Sequence, residues 1–331
     1  MSERIAVIST SYPREPGDAA GHFVRSEVTR WVRAGHEVHV FAPGPQGALW
    51  ADGARLHWCR DHGAFGWPGA LARLKERPAR WLGAGAFALR AGRALRAAGT
   101  FTRVQAHFLV PSAWPIATRA LTPTAPEFEI VGHGSDVRLF CNLPPALRAH
   151  ITRAWLARGA RLRVTSTELA QALRASNPEL TPALRVEPSP IDVDGVPKRG
   201  AARRALGIPD TAQVAVVVAR LIPEKRVAQA LSALAWLDDV TAIVVGDGPL
   251  LSELRARFPR VRFAGYVPRP EALCFIAAAD VLLSASGQEG APSVVREARA
   301  LGVKVVAVAA GDLATWAESD SGLFLVEPPP K

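Results

Sequence analysis

The chain has 331 residues, 49% of them hydrophobic and 21% charged, which describes a globular protein with room for two domains and excludes a disordered one. No run approaches the ~20 apolar residues that a membrane span needs, and Cys59, Cys141 and Cys274 are too scattered for a zinc site or a disulfide framework. The net charge of +10 belongs wholly to residues 1–190, which hold 24 Lys/Arg against 14 Asp/Glu, whereas residues 191–331 hold 16 of each.

In chain order, the start M-S-E-R-I-A-V-I-S leads straight into a strand, Ile5–Ser9, without the pattern of a signal peptide, so a cytoplasmic protein is expected. A Pro/Gly loop, T-S-Y-P-R-E-P-G-D-A-A-G-H-F-V, then opens a helix near Gly21 and His22 that runs over Phe23–Ala34. It lacks the G-K-[ST] ending of a P-loop and the spacing of G-x-G-x-x-G, which argues against a dinucleotide cofactor. After the strand Glu37–Phe41, residues 73–103 carry eight basic side chains against Glu76, interleaved with Trp81, Leu82, Phe87 and Leu89. Such a segment fits an anionic membrane surface, and equally a solvated helix face. No recognition motif accompanies the charge, so nucleic acid is not an expected partner. Strands Arg103–His107, Phe128–Gly132 and Leu162–Ser166 follow, with a helix over Pro144–Ala157. The Pro/Asp/Gly-rich stretch 187–198 places a boundary between domains 1–188 and 189–331.

Beyond it come strands Val214–Ala219, Thr241–Val245, Val261–Phe263, Val281–Ser284 and Val303–Val308. They alternate with helices over Val227–Leu237, Pro249–Arg257, Glu271–Ala278 and Ser293–Leu301. Apolar strands alternating with helices mean α/β architecture, with parallel sheets covered by helices on both faces: two Rossmann-like domains. Ligands of such sheets bind outside the carboxyl ends of the strands. The Pro-rich tail Pro328–Pro330 reads as unstructured.

The candidate site residues lie at those strand ends. Arg220 and Lys225 follow Val214–Ala219, where two cations can neutralise a diphosphate leaving group. Gly246, in V-V-G-D-G-P-L, permits a tight strand-to-helix turn. Tyr266 and Val267 lie where backbone groups can hold a nucleobase. Glu289, then Gly290, Ala291, Pro292, Ser293 and Val294, then Glu297 span a loop and the start of a helix. The free N–H groups of that helix start suit a phosphate. A carboxylate on each side of it can grip two hydroxyl-rich parts of one ligand, as a nucleotide sugar offers. In the first half, His107 ends one strand, and His133, Ser135 and Asp136 lie just past the end of another. Asp192 and Asp194 form a D-x-D in the boundary loop, read as loop structure, and no metal is expected.

The ordered set formed by the loop to Gly21, R-A-G-H-E-V-H-V (33–40), A-H (106–107), H-G-S-D (133–136), Arg220 with Lys225, G-D-G-P (246–249), G-Y-V (265–267) and Glu289 to Glu297 resembles the retaining glycosyltransferases of family four. The resemblance runs from residue 4 to about 326 and implies the GT-B fold, two facing Rossmann-like domains. It implies that Arg220 and Lys225 stabilise the diphosphate of a UDP- or GDP-linked donor and that Glu297 binds its ribose. Glu289 and the backbone of 290–294 would hold sugar and phosphates, with His133 near the sugar. The first domain would bind a glycan or lipid-linked acceptor, with Asp136, His107 and His22 on that side. No cofactor beyond the donor substrate is implied, and the expected function is retaining transfer of a hexose-type sugar in envelope glycolipid or polysaccharide synthesis, peripheral on the inner face of the plasma membrane. A sugar-nucleotide epimerase of the same fold and an idle partner subunit are the alternatives. The chain departs from the family at Ala20-Gly21, where a Gly-Gly pair is usual, and at G-L-F-L-V-E-P-P-P-K, where further helices usually cross back to the first domain.

Overall fold

The computed structural model describes residues 2–15, 18, 20–44, 47–51, 53–66, 73, 76–120, 126–234, 237–287 and 289–327. Lys75, three residues of the loop before Gly21, residues 235–236 of the expected helix and the tail Pro328–Pro330 lie outside them. The chain divides into two compact units, one of Met1–Glu15 and Ala20–Pro190, the other of Ile191–Lys331 with Pro16–Ala19.

The first unit is an eight-stranded sheet in the order β3-β4-β2-β1-β5-β6-β7-β8. Its strands are β1 (Arg4–Ile8), β2 (Glu37–Pro43), β3 (Gly47–Ala51), β4 (Ala54–Cys59), β5 (Arg103–His107), β6 (Glu127–Gly132), β7 (Arg161–Val164) and β8 (Leu184–Val186). All neighbours pair in parallel except β3 and β4, an antiparallel edge pair that the sequence reading did not foresee. The two faces of the sheet fill separate cores by strand alternation. Ile5, Val7, Val38 and Val40 join the face on which helix α1 (His22–Arg33) lays Val24 and Val28. Ala6, Ile8, Phe41, Val104 and Ala106 join the other. There helix α2 (Arg80–Ala97) buries Ala84, Phe87, Ala91 and Leu95, spaced three or four apart, which is one helical face. Its opposite side leaves Trp81, Leu82 and Leu89 exposed beside Arg93 and Arg96. Helices α3 (Ser135–Cys141), α4 (Pro145–Leu156) and α5 (Thr167–Ser176) complete the unit.

The second unit is a six-stranded, wholly parallel sheet in the order β11-β10-β9-β12-β13-β14. Its strands are β9 (Gln213–Val218), β10 (Val240–Val245), β11 (Arg262–Gly265), β12 (Val281–Ser284), β13 (Lys304–Val308) and β14 (Leu323–Val326). Val214, Val216, Ile243, Val245 and Leu282 pack on one face, Val217, Ala242 and Val244 on the other. Helices α6 (Arg199–Leu206), α7 (Val227–Leu234), α8 (Leu251–Arg257), α9 (Arg269–Ala278), α10 (Ser293–Ala300) and α11 (Leu313–Ala317) connect the strands. Arg203, fully buried, donates to the Ala278 carbonyl (2.9 Å) and to Asp280 (2.8 Å), which also accepts from the Val214 N–H (2.7 Å). Burial works to raise the Asp280 pKa, but that N–H and the guanidinium groups of Arg199 and Arg203 hold it below its ordinary value.

Both sheets have one place where strand order reverses. It lies between β1 and β5 in the first unit and between β9 and β12 in the second. Loops leaving the two strands at such a point diverge to opposite sides and leave a crevice at the carboxyl ends.

Candidate active site

In the second unit, the loop after β9 and the loop after β12 flank the reversal, and every donor-side candidate except Gly246, Tyr266, Val267 and Gly21 of the first unit lies on one of them or on α10 behind it. Arg220 is exposed two residues past β9, and Lys225 ends a single 3₁₀ turn, Pro223–Lys225. The next residue, Arg226, has φ 48° and turns its guanidinium over Gly287, where a Cβ would stand 2.6 Å from Cζ. The Gly287 N–H donates to the Glu224 carbonyl (3.1 Å), which ties the two loops together. Across that tie the Lys225 ammonium pairs with the Glu289 carboxylate.

The frame around this pair is main chain. Gly246 has φ 139°, and a Cβ there would lie 1.9 Å from the Ala219 carbonyl oxygen; Gly248 has φ 156°, and a Cβ there would lie 2.5 Å from the Leu221 oxygen. The loops are stitched by Ala219 N–H to Val245 O (3.0 Å), Leu221 N–H to Asp247 O (2.9 Å) and Gly246 N–H to Gly265 O (2.8 Å). Gly311, after β13, has φ 57° and packs on the backbone of Glu289 and Gly290, leaving a Cβ only 2.1 Å from the Gly290 oxygen. Glycine is required where backbone approaches backbone with positive φ. Gly246 is legible in V-V-G-D-G-P-L, whereas nothing local to Gly311 marks its approach to Gly290.

Helix α10 begins after Pro292, which is extended (φ −62°, ψ 114°), and no side chain caps it. The first-turn N–H groups of Ser293 and Val294 therefore belong to an open helix start next to Gly290 and Ala291, the electrostatics of an anion site. Glu297, buried one turn on, accepts from Arg269 Nη2 (2.6 Å), the first residue of α9. Arg269 also donates to the Asp192 carbonyl (3.1 Å) and was not anticipated from the sequence; only the tertiary packing of α9 on α10 brings it to Glu297. Asp192 itself accepts from the Asp194 N–H (3.1 Å), so the D-x-D is an Asx turn. Tyr266 is exposed at the end of β11, and Val267 packs partly into the core.

In the first unit, Gly21 (φ 70°) precedes α1 and lies against Ser11, so that a Cβ would stand 2.3 Å from its oxygen. His22, partly buried, begins the helix and its ring meets that of Phe23. His133 follows β6 and is partly buried between Phe23, Phe108 and His107. Its Nε2 lies 3.0 Å from Nδ1 of His107. Burial, with the positive charge of Arg163 nearby, drives both imidazoles well below the ordinary histidine pKa, so both are neutral at neutral pH.

Two acceptor-side expectations change. His107 is fully buried and stands behind His133, not at the surface. Asp136 turns inward: its carboxylate accepts from the backbone N–H groups of Leu109, His133 and Gly134, each at 3.0 Å. Burial raises its pKa against those bonds. It clamps the loop after β5 to the start of α3, and a carboxylate spent on three N–H groups is not turned to a ligand. Beside α2 a cavity of about 560 Å³ is lined by Arg73, Arg77, Arg80 and Leu82. No helix among the described residues is long and apolar enough to cross a membrane.

Residues 198–331 match the family described as Glycosyl transferases group 1. TuaC of Bacillus subtilis (strain 168), named as a teichuronic acid biosynthesis glycosyltransferase, is 30% identical over 215 residues, 64% of this chain and 54% of its own length. The chain thus spans about half of that curated relative. The fold is that of sucrose-phosphate synthase from Thermosynechococcus elongatus (TM-score 0.76, 20% identity, 99% of this chain and 86% of that one). It is also that of HepE from Anabaena in complex with UDP-glucose (TM-score 0.68, 18% identity, 99% and 86%).

Proposed function

From a chain whose residues 198–331 match the glycosyl transferases group 1 family, we propose a retaining glycosyltransferase. It moves a hexose-type sugar from a UDP- or GDP-linked donor to a glycan or lipid-linked acceptor, without a metal ion. The observation that carries this reading is the reversal of strand order between β9 and β12. There Lys225 on one loop pairs with Glu289 on the other, and the Glu289 loop leads into the uncapped start of α10. Arg220, Lys225 and the first-turn N–H groups of α10 receive the diphosphate, whose charge grows as the sugar departs; positive groups fixed beforehand stabilise that charge most. Glu289, held by Lys225, meets the sugar, and Glu297, held by Arg269, meets the ribose. Backbone groups around Tyr266 meet the base. Retention follows if the acceptor attacks from the side of the departing diphosphate, one of whose oxygens takes the acceptor's proton.

The acceptor belongs to the first unit, and the excess of ten positive charges over residues 1–190 favours an anionic one. With α2 exposing Trp81, Leu82 and Leu89 among arginines, the same reading places the protein on the inner face of the membrane, in envelope glycolipid or polysaccharide synthesis. The likeness to TuaC supports this role.

The test is release of nucleoside diphosphate from a panel of UDP- and GDP-sugars with and without glycan acceptors, and with Glu289→Ala as the control. Acceptor-dependent release from one donor, lost in the variant, is expected. Turnover of no donor, conversion of the donor sugar without transfer, or full activity in Glu289→Ala would each end the proposal.

A further inference from the structure

Under α1, three adjacent strands carry polar side chains on one face of the first sheet. Gln105 and His107 (β5), Glu129 (β6) and Arg163 (β7) alternate with Val104, Ala106, Ile130, Leu162 and Val164, which fill the opposite core. Helix α1 adds Glu27. Of these, Glu27, Gln105, His107 and Arg163 are no more than 1% exposed. A buried ionic cluster of this kind is a poor stabiliser; apolar residues of similar volume usually serve stability as well or better. Its bonds, however, form a directed chain.

The chain starts at the carboxylates. Gln105 Nε2 donates to Glu27 Oε1 (3.0 Å) and to Glu129 Oε2 (2.6 Å), and Arg163 pairs with Glu27. Two acceptor-only groups on one side fix which way the amide points. Gln105 Oε1 is thereby aimed at His107 Nε2, 3.0 Å away. An amide oxygen carries no hydrogen, so His107 Nε2 must. A neutral imidazole has one N–H, which leaves the lone pair of His107 on Nδ1, facing His133 Nε2. His133 Nε2 must then carry the proton. Its Nδ1 is left as a bare acceptor, and no hydrogen bond to it exists among the described residues.

We propose that Glu27, Glu129, Gln105 and His107 are positioning residues that form a tautomer relay, through which two carboxylates, one buried and one partly buried, dictate that His133 offers an unprotonated Nδ1 to its ligand. A bare Nδ1 recognises a group that donates, such as a neutral hydroxyl, and discriminates against a fluorine or ether oxygen in its place. Only the identification of that hydroxyl as a sugar's rests on the proposed function; the tautomer does not.

The experiment is long-range ¹H–¹⁵N spectroscopy of the full chain with ¹⁵N-labelled histidine, the two rings assigned by His107→Asn and His133→Asn. Wild-type protein should show both rings protonated at Nε2 and bare at Nδ1. In Gln105→Glu an added anion makes His107 an imidazolium, whose Nδ1–H then points at His133 Nε2 and moves the His133 proton to Nδ1. In Gln105→Leu the order is lost and both tautomers appear. The same variants should lower kcat/KM for transfer about tenfold, the worth of one good hydrogen bond, with the affinity for free nucleoside diphosphate unchanged. A His133 ring protonated at Nδ1 in the wild type overturns the relay whether or not any variant folds. So does a His133 tautomer unmoved in folded Gln105→Glu. If instead the tautomers behave as stated and no sugar donor is turned over, the relay stands and the transferase reading fails.

Discussion

The two units share one reversal of strand order and use opposite materials. The first holds all eight histidines and the whole excess of positive charge, and its interior carries an ionic chain from Glu27 and Arg163 to His133. The second has no histidine, its residues 191–331 carry no net charge, and its strand-end loops are joined by main-chain bonds at Gly246, Gly248 and Gly311. The difference teaches that a doubly wound sheet can present functional groups in two ways. In one, buried side chains impose a protonation state on a group at the edge. In the other, backbone geometry holds a frame on which a few charges are mounted.

The largest effect expected from that contrast is chemical and belongs to the second unit. Lys225→Ala removes the charge proposed to meet the departing diphosphate and should lower kcat by roughly 100- to 1,000-fold, the usual loss for one preorganised group, with the melting temperature little moved. Steady-state kinetics beside calorimetry checks it; a loss of less than tenfold would detach Lys225 from the leaving group. Next comes Gly246→Ala, which forces a positive φ and a Cβ into the Ala219 carbonyl. It should destabilise by on the order of 3 kcal/mol. Hydrogen exchange should show protection falling in β9 to β11 and holding in β5 to β7; equal losses in both sheets would contradict a frame local to the second unit.

Acid should distinguish the units in the other direction. Unfolded histidine titrates near pH 6.5, while folded His107 and His133 titrate well below, and His57 at about 4, all chiefly through burial. Between those values the unfolded chain binds more protons, so stability rises with pH. This contribution is complete above about pH 6.5 and is lost as pH falls, by about 1.4 kcal/mol per pH unit for each histidine. In the second unit, Asp280 and Asp320 have folded pKa values below the ordinary 3.8, so their contribution is lost only below that. Hydrogen exchange between pH 6.5 and 4 should therefore loosen the first sheet and spare the second. The smallest effect concerns α2. Replacing exposed Arg77, Arg93 and Arg96 by Glu should weaken binding to phosphatidylserine vesicles by about 1 kcal/mol or more per site, and unchanged sedimentation with vesicles would remove the membrane from the proposal.

The second unit was the more legible of the two in the sequence. Its strands are continuous apolar runs, and Val281–Ser284 falls where it was placed, because burial on both faces leaves no ambiguity of period. Edge elements escaped notice: β3 and β4 read as G-A-L-W-A and A-R-L-H-W-C, whose Ala, Gly and Arg carry little strand signal, and β8 is three residues long. Lys225 and Glu289 could be named because both sit on loops at strand ends, but their pairing across 64 residues is a tertiary fact. The relay was visible only as an irritant, polar residues at alternate places in R-V-Q-A-H, E-F-E and R-L-R within strands expected to be buried. Glu27 and Arg163, 136 residues apart, gave no local sign of each other.

The stitching of the second unit's loops through carbonyls and N–H groups has a consequence for descent. Main-chain joints do not depend on which side chains their residues bear, glycine excepted. Tyr266 and Val267, proposed to meet the base, hang from such a frame at the end of β11. Under the proposed function, substitutions there can alter the nucleotide chosen while Gly246, Gly248 and Gly311 keep the loops of the proposed diphosphate site in place, so that new donors can be tried one residue at a time on an inherited anvil.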